Sequence, residues 1–165
     1  MKHTASTVTE PVKDRFRGLS PAQLSPEEQQ SLMNLALALL EEKHRPGEAL
    51  TSPDDTRRYL RLRLAGYQNE VFGCVFLSNR HHVIEVAELF QGTIDGASVH
   101  PRVVVQRALT CNAAALILYH NHPSGVSEPS AADRSITQKL KDALTLIGVR
   151  VLDHIIIGED NLSPH

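Results

Sequence analysis

The run Val71 to Leu77, Val-Phe-Gly-Cys-Val-Phe-Leu, constrains this chain more than any other stretch. Successive side chains of a strand point to opposite faces, and here both faces are apolar. Such a strand belongs in the interior of a sheet, covered above and below. The segments around it alternate in period. Before it, Ser25-Pro26-Glu27-Glu28 is a helix start, with serine as cap, proline at the first helical position and Glu28 closing a capping box. Leu32, Leu35, Ala36, Leu39 and Leu40 follow at helical spacing, which predicts one buried face and an end near His44, before Pro46-Gly47. Ser52-Pro53-Asp54-Asp55 repeats the start and predicts a second helix to Gly66.

After the interior strand, residues 79–82 read as a turn and Val83 to Phe90 as its hairpin partner. Pro101 to Asn112 is expected to be helical, with Val104, Ala108 and Cys111 on one face, and Ala113 to Tyr119 is a strongly apolar strand. Ser130 opens a helix striped by Ile136, Leu140, Ala143, Leu144 and Ile147 and stopped by Gly148; Val149 to Ile157 closes as a strand. The order α-α-β-β-α-β-α-β defines an α/β domain with a mixed sheet. Residues 1–24 are polar and without periodicity and are expected to be flexible; 25–45 form an N-terminal helix, and 46–165 the main domain.

With 165 residues there is room for one domain. A net charge of -2 and 4% aromatic residues, without tryptophan, give no support to a nucleic-acid binder, although a local basic patch is compatible with them. Arg57, Arg58, Arg61 and Arg63 form the one dense basic cluster and read as the solvated face of a helix. Cys74 and Cys111 sit in apolar stretches and read as buried free thiols, so a reducing, cytoplasmic setting is expected. Neither a signal peptide nor a membrane span is legible.

Chemistry concentrates in Tyr119-His-Asn-His-Pro-Ser-Gly125 and its continuation to Asp133. His120 and His122 are two apart, so at a strand end both imidazoles point one way and Asn121 the other. Asp133 falls in the first turn of the next helix, where it can approach them from the side. Two imidazoles and one carboxylate are a standard catalytic zinc set that leaves a position for water. Each part has a plainer reading. Ser130-x-x-Asp133 is by itself a good capping box, and a lone His-x-His pair is often merely solvated. The joint spacing, His-x-His, seven residues, Ser, two residues, Asp, carries the stronger reading.

At these positions the chain resembles the JAMM metalloproteases of the JAB/MPN superfamily. His120-Asn121-His122-Pro123-Ser124-Gly125, Pro129-Ser130 and Leu152-Asp153-His154-Ile155-Ile156-Ile157-Gly158 are similar to its bacterial RadC branch. So are Glu88 to Thr93 and Val99-His100-Pro101-Arg102, and the likeness runs from about residue 46 to the end. The resemblance implies the MPN/JAB fold, a curved mixed sheet flanked by helices with cytidine-deaminase-like topology. It implies Zn2+ on His120, His122 and Asp133, Glu70 as general base, and Ser130 donating to the developing oxyanion or the water. Amide or isopeptide hydrolysis of a protein or peptide substrate follows from it. Glu70 borders the apolar run and is expected to be partly desolvated, though a solvated strand-end glutamate is the commoner case. His154 reads first as a satisfied core histidine and next as a hydrogen-bond support behind the ligands; His3, His44, His81, His82, His100 and His165 read as surface or turn residues.

The chain departs from that branch in three places. It has room for only one or two helices before the domain, Val103 replaces an acidic residue, and Leu162 to His165 ends where relatives continue, which reads as a truncation. Such short forms resemble those of mobile elements. Two other functions compete: a nucleic-acid-associated factor, and a silent MPN scaffold binding protein partners. Retention of all three ligand positions argues against the scaffold. Substrate identity and oligomeric state are not encoded in any of these motifs.

Overall fold

The computed structural model describes residues 14–94, 98–123, 125 and 129–158. The flexible segment expected for residues 1–13 and the C-terminal ending from 159 lie outside the described residues. A short 3-10 turn, Pro21–Gln23, leads into α1 (Pro26–Lys43) and α2 (Pro53–Leu64). Then come β1 (Val71–Leu77), β2 (Val83–Gln91), α3 (Pro101–Thr110), β3 (Ala115–His122), α4 (Ala131–Thr145) and β4 (Arg150–Gly158). The expected order of helices and strands is the observed one. No described helix is long and apolar enough to cross a membrane.

The sheet runs β2-β1-β3-β4, with β1 antiparallel to both neighbours and β3 parallel to β4. All seven residues of β1 are buried, as a strand apolar on both faces requires. Phe72, Cys74 and Phe76 join Leu116 and Leu118 of β3 under α3 and α4, where Val104, Ala108, Ile136, Leu140 and Leu144 complete the cluster. Val71, Val75 and Leu77 join Ala115, Ile117 and Tyr119 on the other face, under Tyr59, Leu60 and Leu64 of α2. The result is three layers, helix, sheet and helix. Gly73 is required where Tyr119 crosses β1: an added Cβ would stand 2.3 Å from the Tyr119 ring, whose hydroxyl donates to the Ala87 carbonyl at 3.1 Å.

Two expectations are corrected. The α1 stripe is only partly covered: Leu32, Leu35 and Leu39 are 44%, 53% and 57% exposed, and of the stripe Leu40 meets the second cluster, together with Leu37, which lies outside it. Periodicity shows which face of a helix is apolar but not whether another element covers it. His44 is not a surface residue but 4% exposed, stacked on Tyr59 at 4.5 Å. Its Nδ1 faces the Leu40 carbonyl at 2.7 Å and its Nε2 the Thr56 hydroxyl at 2.9 Å, so both ring nitrogens are satisfied by protein.

Candidate metal centre

β3 continues the apolar stripe Leu116, Leu118 with His120 and His122 on the same face, looking toward the start of α4. α4 begins at Ser130, whose hydroxyl accepts from the Asp133 N–H at 3.1 Å while Asp133 accepts from the Ser130 N–H at 2.8 Å. This reciprocal box places Asp133 in the first turn, 2% exposed, against both histidines. His120 Nδ1 lies 2.9 Å from Asp133 Oδ1 and His122 Nε2 3.2 Å from Oδ2. The imidazole rings are 4.6 Å apart and nearly perpendicular, at 87°.

Charge decides the tautomer. Burial alone would raise the Asp133 pKa, but the N–H and O–H of Ser130 and the His120 ring outweigh it, and the carboxyl lies below its usual range. Asp133 is therefore an ionised acceptor, and His120 Nδ1 must carry the proton it shares with Oδ1. Burial lowers the His120 pKa against the pull of Asp133, so the ring is neutral at pH 7. Its Nε2 then bears a bare lone pair, is buried, and has no hydrogen-bond partner among the described residues. Glu70 Oε2 lies 3.8 Å from it. Two acceptors facing each other are unfavourable unless a cation or a donor joins them.

The fit to a metal follows from these groups. One donor atom from each of His120, His122 and Asp133 lies within 4.8 Å of the other two. A tetrahedral ion with bonds of about 2.0–2.1 Å wants its donors about 3.3 Å apart, so the donors must draw together, and Asp133 must give up its hydrogen bond from His120 Nδ1 to share one centre with His120 Nε2. Imidazole and carboxylate donors suit zinc among the common divalent ions.

Glu70 stands immediately before β1. Its Oε2 accepts from the Ile94 N–H at 2.7 Å and its carbonyl from the Gly92 N–H at 3.0 Å, so the chain leaving β2 wraps around it. Asn121, assigned no task by the sequence reading beyond pointing away, holds the other side. It accepts from the Val71 N–H at 2.6 Å and donates to the Asn69 carbonyl at 3.1 Å, gripping the backbone on both flanks of Glu70. The residue between the two histidines thus ties the ligand strand to the glutamate. Asn121→Leu is expected to lower unfolding free energy by about 1–3 kcal/mol, because a buried N–H loses its partner; urea unfolding checks this.

Ser130 and His154 sit behind His120, His122 and Asp133. The Ser130 hydroxyl donates to Asp133 Oδ2 at 2.8 Å, so any role toward an oxyanion requires it to turn off that carboxylate. His154, on β4, is not among the clustered donors. Thr137 donates its hydroxyl proton to the Asp133 carbonyl at 2.7 Å and accepts from His154 Nδ1. Among the described residues, His154 Nε2 is the second buried side-chain nitrogen without a partner. Burial pushes its pKa down to about 4, so the ring is neutral. Phe72 contacts both histidines, tilted against His120 at 6.0 Å and edge-on to His154 at 5.6 Å.

A mixed α/β sandwich with this His-x-His and Asp arrangement belongs to a definable class: the chain is a member of the RadC-like JAB domain family, whose pattern matches residues 50–164. It is 57% identical over 147 residues to a UPF0758 protein of Thioalkalivibrio sulfidiphilus, covering 89% of this chain and 65% of that protein. A UPF0758 protein of Nitrosococcus oceani is 58% identical over 130 residues, 79% of this chain and 58% of that one. One from Vibrio cholerae is 53% identical over 128 residues, 78% of this chain and 81% of that one. The chain thus spans less than two thirds of the length of the first two relatives.

Proposed function

We propose that this protein is a zinc-dependent hydrolase that cleaves amide or isopeptide bonds, with Glu70 as its general base. The observation that carries the reading is the buried, unpartnered Nε2 of His120, set 3.8 Å from the Glu70 carboxylate and beside His122 and Asp133. A neutral imidazole lone pair facing a carboxylate is an arrangement for a cation and a protic molecule together. Zinc on His120, His122 and Asp133 would supply Lewis acidity and acidify water. Glu70 takes a proton from the attacking water and returns it to the leaving nitrogen. The Ile94 N–H holds Oε2, the oxygen that also faces His120 Nε2, so the carboxylate that takes the proton is already aimed at the metal site. Ser130 holds Asp133 in orientation, and its hydroxyl is the nearest candidate donor to a developing oxyanion once turned.

Two unpaired cysteines, Cys74 buried and Cys111 partly so, support a reducing compartment, where a protein of this kind would act on protein or peptide substrates. Metal analysis of the purified chain tests the reading. About one equivalent of zinc is expected, falling to a small residue in His120→Ala and His122→Ala, since losing one of three protein ligands weakens binding severely. Retention of zinc by both variants would remove the centre from these residues. Zinc-dependent cleavage of a peptide and isopeptide library is the matching activity.

A further inference from the structure

α2 carries four arginines, and three are bound within the protein. Arg57 meets Asp153 at 3.1 Å, Arg58 meets Asp55 at 3.1 Å, and Arg63 reaches Glu88 at 4.0 Å and the Tyr59 hydroxyl. The cluster is therefore not simply a solvated helix face. Arg61 differs: among the described residues it has no ion pair or hydrogen bond. It lines a cleft of about 680 Å³ between the end of α2 with the following loop, including Tyr67, and the ends of β3 and β4, including His122, Pro123 and Ile157. His122 and a guanidinium without a partner among the described residues thus share one cleft.

We propose that this cleft seats the substrate beside the metal centre, and that Arg61 recognises a carboxylate on it, carried by a peptide. The proposal rests on the hydrolase reading of the same site. The cleft volume falls within the range of about 300–1,000 Å³ usual for ligand sites. Tyr67, Pro123 and Ile157 give it apolar surface for side chains, and Arg61 gives it one charge. A guanidinium matches a carboxylate with two parallel N–H donors, which makes the pair directional as well as strong. Nucleic acid fits less well. Its affinity comes from many phosphates contacted at once, whereas Asp153, Asp55 and Glu88 offset three of the four positive charges on this helix and the whole chain has a net charge of -2.

The test uses the zinc-loaded chain carrying Glu70→Gln, so that bound peptide is not turned over. Fluorescein-labelled short peptide pools are titrated by anisotropy, in pairs with Glu or Gln fixed at one position and in pairs ending in a free acid or an amide. At one position, or at the terminus, the acidic pool is expected to bind about tenfold tighter than its neutral twin. Adding Arg61→Gln should erase that preference and Arg61→Glu should reverse it toward a Lys pool, with zinc content and melting temperature unchanged. Which pair responds distinguishes a side-chain acid from a terminal one. The proposal is overturned if no acidic pool is preferred, or if the preference survives Arg61→Glu. It is equally overturned if a single-stranded oligonucleotide, and no peptide, is what the Arg61 variants lose. Wild-type hydrolysis of the same pools separates the two readings. Zinc-dependent cleavage indifferent to Arg61 leaves the hydrolase and removes the acid-binding cleft. Arg61-dependent binding without any zinc-dependent cleavage does the reverse.

Discussion

Glu70→Gln is expected to keep about one equivalent of zinc and to lower kcat/KM by about 10²–10⁴, the usual contribution of a positioned general base. Glutamine has the size of glutamate, and its amide oxygen can still accept from the Ile94 N–H, so the loop around position 70 and the clamp from Asn121 stay in place. His120, His122 and Asp133 are untouched, so the metal should stay. What disappears is the ability to take a proton. A metal-binding site that merely stabilised the fold would show the same zinc and the same melting temperature in both proteins, with no turnover to lose. The decisive pair of measurements is zinc content and kcat/KM on one cleaved peptide. Turnover within about threefold of wild type would take Glu70 out of the chemistry, because this is less than about 0.7 kcal/mol of barrier.

The surroundings of position 70 also show which parts of this site a sequence can display. The stripe Leu116, Leu118, His120, His122 was readable because strand period alone puts those side chains on one face. Asp133 was readable because a capping box fixes the first turn of a helix. The partnership of Asn121 with residues 69 and 71 was not, since it depends on the antiparallel register that sets Phe72 opposite His120, 50 residues away in sequence for the Val71 contact. The same limit explains the arginines of α2. Arg57 meets Asp153 across 96 residues, and no local rule distinguishes it from Arg61, which meets no carboxylate among the described residues. It explains His44 as well, whose burial depends on α2 delivering Tyr59 and Thr56. Local pattern reached His120, His122 and Asp133; the groups that hold them come from tertiary pairing.

The fold should show the cost of those buried imidazoles in acid. His154 has a folded pKa of about 4 against an ordinary 6.5. Desolvation by burial is the largest cause, and the positive charge that His120 and His122 could carry acts in the same direction, against the attraction of Asp133 and Asp153. Because the folded pKa is the lower one, the unfolded chain binds the proton more readily, and stability falls as pH falls. The contribution is complete above pH 6.5 and is lost between about 6.5 and 4. A difference of that size corresponds to about 3 kcal/mol, a large fraction of the stability of a domain this small. His44 and His120 are shifted down as well and add to the loss in the same direction, while Asp133, lowered from 3.8, contributes only at more acid pH. Urea unfolding of the metal-free protein at pH 7, 5 and 4 measures the slope. His154→Asn keeps a donor for Thr137 and removes the titration, so its stability should vary less with pH, by about the His154 share. Equal slopes in the two proteins would mean that His154 is not what acid unfolds.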